Sequence, residues 1–320
     1  MPGLPERITE RLRIPVIAAP MLAVSGPDLV TATCAAGVIG AFPTANAGSA
    51  DQLDQWLSNI ATRARGAAPT FAPWAANVIM RSPRLREDLA VLVDHRIPIV
   101  ITSVGSPEPV VEALHAVGTT VFSDVASLHH VRRALDAGAD GLILLAAGAG
   151  GQSGHLNPFA FVRAVREFYG GPVVLAGGLC DGHALRAAQV LGCDLGYVGT
   201  PFIATRESMA SPDYQRLLVE SSLDDIVLTR AFTGLPTNML VSSIVAAGFD
   251  PDRLDEQVTP AQSRQLYGGS DTPRKWIDLH SAGHSVSSVH AVMGAGELVA
   301  KLAAEYAAAH PADARTPSSG

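Results

Sequence analysis

The chain has 320 residues, a formal net charge of −7 and 48% hydrophobic residues, with a mean hydropathy of +0.23. No basic block is present, which argues against nucleic acid as a partner. The apolar residues come in short runs, none near the roughly 20 needed to span a bilayer, so buried parallel strands account for the hydropathy and no membrane partner is expected. Cys34, Cys180 and Cys193 are too few and too scattered for a disulfide framework or a zinc site, and no other metal-ligand spacing is present. The opening residues, MPGLPERITERLRIP, lack an apolar signal region, so a cytoplasmic location is expected.

In chain order, residues 14–19 read as a strand ending at Pro20-Met21, with a helix over 27–36. Strands are then expected over 38–42, 71–79, 98–102 and 119–123, each followed by a helix: 51–65, 84–94, 107–117 and 128–137. The sixth, seventh and eighth strands fall at 142–146, 172–176 and 195–198, with helices near 158–168 and 184–191. Proline opens several of these helices, where its missing N–H costs nothing, and Gly118, Gly138 and Gly192 stand where a helix needs a left-handed final residue. Eight strand–helix units in succession specify a parallel (β/α)8 TIM barrel.

At about 250 residues for a typical barrel, the chain has length to spare. Residues 207–292 hold no further clean strand–helix unit, only helical stretches at 214–222 and 242–247 among polar loops such as Asp271-Thr272-Pro273. An Ala-rich helix at 297–308 then closes the barrel. The expected organisation is a barrel from 1–206 and 293–310, a small, mainly helical substrate or lid domain over 207–292, and a disordered tail at 311–320.

Strands six to eight each end in glycine. The first opens into Gly148-Ala149-Gly150-Gly151-Gln152, the next into Gly177-Gly178 and the last into Gly199-Thr200. Glycine at a strand end lets backbone N–H groups approach a ligand closely, and two such turns late in a barrel suit a phosphate. A phosphate-bearing cofactor or substrate follows, and so an enzyme. No G-x-G-x-x-G follows the first strand, which disfavours a built-in dinucleotide site, and Ser153 lacks the elbow spacing of a hydrolase nucleophile.

These pieces together resemble the nitronate monooxygenase family, FMN-dependent barrel enzymes with a small helical substrate domain. The resemblance is carried by Ala19-Pro20-Met21, Asn77, Gly148–Gly151, Ala176-Gly177-Gly178, Gly199-Thr200 and the run WIDLHSAGH ending at His284. It implies FMN as cofactor, with Gly177, Gly178, Gly199 and Thr200 on the phosphate and Pro20, Met21 and Leu22 against the flavin ring. It further implies Asn77 at the ring edge and Gly150 and Gly151 in the turn beside it. Asp124 reads either as a partner of a ribityl hydroxyl or as a cap of the next helix.

The chain departs from the family where chemistry is concerned. The turn after the sixth strand usually reads Ala-Gly-Gly-His, and that histidine removes the α-proton from a neutral nitroalkane; here Gln152 stands in its place. A glutamine amide has no titration near neutrality and cannot act as a general base. The family's Trp-Ser-Ala-Gly-Gln-Gly stretch becomes His280-Ser281-Ala282-Gly283-His284-Ser285, which makes His280 and His284 candidate acids or bases, with His155 a further candidate. The expected activity is oxidation of a small nitronate with O2. A reductase passing hydride from NAD(P)H to a quinone or enoyl substrate, and an FMN-binding barrel without turnover, stand as alternatives. A homo-oligomer is left open.

Overall fold

The computed structural model describes residues 3–67, 70–266, 274 and 276–309. Eight parallel strands close into a barrel: β1 (Val16–Ala18), β2 (Ile39–Pro43), β3 (Trp74–Ile79), β4 (Ile99–Ser103), β5 (Thr120–Val125), β6 (Gly141–Leu145), then, after the two-residue β7 (Gly151–Gln152), β8 (Val173–Ala176) and β9 (Leu195–Val198). β9 returns to pair with β1, setting Ile17 against Tyr197, so no edge is left open.

Side-chain alternation divides the core in two. Ile17, Ala41, Ala75, Ile101, Phe122, Ile143, Val174 and Leu195 fill the barrel axis. Their sequence neighbours, such as Val100, Val121, Leu144 and Val173, pack outward under the helices. Phe122 reaches across so far that a Cβ at Gly141 would lie 2.3 Å from its ring, so the smallest residue must stand opposite the largest. Ser127, Asn157 and Asp181 cap the helices that follow β5, β7 and β8 by accepting backbone N–H bonds. Gly118, Gly138 and Gly192 all take positive φ at helix ends. The last helix, Ala295–Ala308, lies against Gly182–Leu191 so closely that a Cβ at Gly182 would fall 2.1 Å from the backbone nitrogen of Tyr306.

Between β9 and that last helix the chain holds helices at Pro212–Glu220 and Val241–Ala246, where sequence patterning expects them, and another at Pro260–Leu266. It also forms an antiparallel pair, β10 (Ile226–Thr229) and β11 (Thr237–Leu240), that helical patterning does not anticipate. β11 pairs with β7, aligning Thr237 with Gln152 and Asn238 with Gly151. The segment over the barrel is thus tied to the glycine-rich turn by a three-stranded sheet. The loop at Asp271-Thr272-Pro273 and the tail at 311–320 lie outside the described residues. Among the described residues, no helix is long and apolar enough to cross a membrane.

Candidate active site

The last inward-facing positions of the strands form the C-terminal mouth. They are Asn77 on β3, Ser103 on β4, Asp124 on β5, Leu145 on β6 and Tyr197 on β9, each two residues beyond a side chain of the inner core. Asn77 is buried and donates to the Ile101 carbonyl at 3.0 Å and to Ser103 Oγ at 3.2 Å, and its Oδ1 faces the Ser103 hydroxyl at 3.5 Å, which together fix the amide. Asp124 does not cap the next helix, because Ser127 accepts the His130 N–H in that role. Its Oδ1 is instead shut off from solvent with no hydrogen-bond partner among the described residues, and burial pushes the carboxyl up to about 7. The Tyr197 hydroxyl is raised well above its ordinary value by burial and by the neighbouring Asp124 charge.

The loop after β1 is pinned in place. Ser25 Oγ accepts the Met21 N–H at 3.0 Å, and Asn46 Nδ2 donates to the carbonyls of Met21 and Ser25 at 2.9 and 2.8 Å. Asn46 Oδ1 in turn accepts the Ala23 N–H at 2.9 Å, which steadies Ala23 at φ 58°. Pro20, Met21 and Leu22 are therefore half-buried on a rigid loop. Sequence reading misses Asn46 and Ser25, since both act through bonds to a distant or folded-back loop rather than through any local pattern.

Met21 lies beside the last phosphate-turn candidate: a Cβ at Gly199 would stand 3.5 Å from its Sδ. Gly199 has φ −112°, open to any residue, so the absence of a side chain there matters for space and not for torsion. Gly177 and Gly178 have positive φ, and their surroundings differ. A Cβ at Gly177 would press on the Ala147 carbonyl oxygen at 2.8 Å, whereas a Cβ at Gly178 would meet nothing within 4 Å. The side of Gly178 is open space. Thr200, buried, accepts the Gly283 N–H on Oγ1 at 2.9 Å and retains its own hydroxyl proton.

The glycine turn after β6 is clamped from two sides. Asn238 Nδ2 donates to the Ala149 carbonyl at 2.7 Å, and the His284 N–H donates to the Gly148 carbonyl at 2.9 Å. Cβ atoms at Gly150 and Gly283 would each lie 2.7 Å from a backbone nitrogen of the other strand of this contact, so glycine is required on both sides. Gln152 emerges from this clamp half-buried, paired through its backbone to Thr237. Ser281 Oγ and the Trp276 ring come within about 4 Å of the Cβ position at Gly151. Thr237 and Asn238 lie 85 or more residues beyond Gln152 in the chain and no motif marks them, whereas Trp276 opens the WIDLHSAGH run.

The histidines separate. His284 is exposed and its imidazole packs on Gly148, where a Cβ would lie 2.9 Å from Nδ1. His280 is buried and stacks on Tyr214, ring centroids 4.0 Å apart and nearly parallel. Its Nδ1 has no partner among the described residues, and burial holds the imidazole below its ordinary value against the opposing pull of Asp278 and Asp213. The Tyr214 hydroxyl donates to the Ser281 carbonyl, fixing the stack. His155 is exposed. Among the described residues, no cluster of three metal-ligating side chains occurs.

Comparison with known proteins agrees with this architecture. The family model described as nitronate monooxygenase matches residues 67–305. The nitronate monooxygenase of Paraburkholderia phytofirmans is 25% identical, over 91% of this chain and 92% of its own length. Among solved structures, nitroalkane oxidase from Streptomyces ansochromogenes superposes with a TM-score of 0.78 at 27% identity, covering 96% of this chain and 99% of its own. FabK from Thermotoga maritima does so with a TM-score of 0.78 at 26% identity, covering 95% of each chain. With three-quarters of its length matched by the family model and an oxidoreductase barrel throughout, the chain belongs to the nitronate monooxygenase family.

Proposed function

We propose that the protein binds FMN across the C-terminal mouth of the barrel and oxidises a small nitronate anion at the expense of O2. The observation that carries this reading is the convergence of Met21 with Gly199, beside the open space at Gly178 and the clamped turn that presents Gln152. The residues fit the cofactor: the Gly178 space is a cradle that any Cβ would begin to fill, and Asp124 offers an orphaned polar atom at the mouth. Bound there, FMN supplies the two-electron acceptor that an amino-acid side chain cannot.

The chain's own groups do the rest. Backbone N–H groups of Gly178 and Gly199 and the free proton of Thr200 hold the phosphate by charge-assisted bonds. Met21, on its pinned loop, gives a flat apolar support, and Asn77 stands at the ring edge with its amide fixed by Ile101 and Ser103. β11 and residues 283–284 pack on the turn that carries Gln152 and limit water there. Gln152 donates its amide N–H to a substrate oxygen and orients it; it holds no proton acceptor for the α-carbon. A nitronate arrives already deprotonated and needs none.

The test is substrate preference. Preformed nitronates should be turned over about 10²–10⁴ times faster than the corresponding neutral nitroalkanes, the span usually forfeited with a positioned base. Gln152→His should raise nitroalkane turnover and leave nitronate turnover nearly unchanged. Fast turnover of neutral nitroalkanes by the wild type that persists with alanine at His155, His280 and His284 would overturn this assignment of roles. Anaerobic reduction of the flavin by NAD(P)H, with none by nitronate, would replace it with a reductase.

A further inference from the structure

Asp124 is the last inward side chain of β5, directly above Phe122, and its Oδ1 is sealed from solvent with no partner among the described residues. Among the described residues, Asp88 is the other carboxyl with buried, unbonded oxygens, but it lies on a helix and is ion-paired with Arg84 at 3.5 Å, which Asp124 is not. An orphaned buried acceptor of this kind destabilises the site unless a ligand, or a proton, satisfies it. The groups that face it are known. From β9 comes the Tyr197 phenol, which burial keeps protonated; from β6 comes apolar Leu145; Asn77 and Ser103 are bonded to each other. On its own side, the His130 ring is taken up by the Ala126 N–H. No cation offsets the burial of its charge among the described residues, and desolvation alone accounts for its raised pKa.

We propose that Asp124 contacts the bound flavin as a neutral carboxylic acid, donating its hydrogen bond from inside the barrel and taking up one proton from solvent as the cofactor seats. The inference rests on the FMN reading above. A flat ring over the mouth removes the water that Asp124 still touches, and the cofactor phosphate adds a negative charge to the same face. Both disfavour the carboxylate. The exchange is one proton from bulk buffer to Asp124 Oδ, with no change of redox state. The sign follows: a group whose pKa rises on binding favours the complex below its free value. Affinity is therefore retained up to about pH 7 and falls as pH climbs through the range above it.

The experiment is titration of the apoprotein with FMN, followed by flavin fluorescence between pH 7 and 9, where the phosphate is already dianionic. Wild-type Kd should weaken toward tenfold per pH unit. Calorimetry in two buffers of different ionisation enthalpy should show net proton uptake. Asp124→Asn, which donates at every pH, should bind FMN with a nearly flat profile and no uptake. Tyr197→Phe should keep the wild-type slope. A flat wild-type profile, an unchanged slope in Asp124→Asn, or proton release in place of uptake would each overturn the proposal while leaving FMN binding in place. Absence of FMN binding by the wild type at any pH would overturn the cofactor reading itself, and this inference with it.

Discussion

Gly178→Ala isolates the cofactor cradle from the fold. Gly178 has φ +72°, and a left-handed backbone costs a residue with a Cβ roughly 1–2 kcal/mol. Because that Cβ meets nothing within 4 Å, no packing penalty adds to the torsional one. For a chain of this size the expected loss in melting temperature is about 1–3 °C, small enough that the barrel stays folded at 25 °C. FMN affinity should fall much further. The methyl would stand where the phosphate approaches the backbone, and each charge-assisted bond lost is worth about 1.5–3 kcal/mol, or some 10–100-fold in Kd. Two neighbours serve as controls. Gly177→Ala would drive its Cβ to 2.8 Å from the Ala147 carbonyl oxygen at φ +120°, so it should cost fold stability as well as binding. Gly199→Ala makes only ordinary contacts at an unstrained φ, so it should leave the melting temperature alone and weaken FMN through the space beside Met21. Differential scanning fluorimetry and flavin titration read the two effects separately. A folded Gly178→Ala protein with unchanged FMN affinity would place the phosphate elsewhere.

Other perturbations act at a distance from the cradle. Asn46→Ala removes three hydrogen bonds that hold the Met21 loop, so FMN affinity should drop together with about 1–3 kcal/mol of stability; Asn46→Asp, unable to donate, should recover little of either. Thr200→Val leaves the buried Gly283 N–H without its acceptor and should cost a similar amount, while Thr200→Ser restores both stability and FMN retention. The apoprotein should also be more stable in acid than in mild base on account of Asp124. Its folded pKa of about 7 lies above the unfolded value of 3.8, so the stability it contributes is present below pH 4 and is lost as pH rises through 7, by about 2–4 kcal/mol. Denaturant melts at pH 5 and 8 check this: Asp124→Asn should narrow the difference, and an equal difference in both proteins would refute it.

The barrel is legible in the chain because each strand is local: a short apolar run, a glycine or proline, then a helix with its cap. Strand ends shift by a few residues, as where β3 begins at Trp74 although apolar patterning starts at 71, but order and closure follow from the alternation alone. The antiparallel pair over the mouth is not legible. β10 and β11 are four residues each, and β11 completes its sheet by pairing with β7, two residues at the end of a glycine turn that no periodicity marks as a strand. The partners of Gln152 are hidden for the same reason.

That non-locality bears on how the replacement of a histidine by Gln152 is tolerated. The turn carrying Gln152 is held by Asn238 from β11, by the His284 backbone, and by a glycine-on-glycine contact between Gly150 and Gly283. None of these contacts involves the side chain at 152. The frame is therefore indifferent to whether an imidazole or an amide stands at its tip. Under the proposed function, what changes is only the proton chemistry offered to the substrate. In such a frame a change of activity class needs one side chain, and Gln152→His should restore a base without moving the backbone around it. If that variant binds FMN as the wild type does and still gains no turnover of neutral nitroalkanes, position 152 does not face the α-carbon, and the base must be sought at His284, whose ring already packs on the same turn.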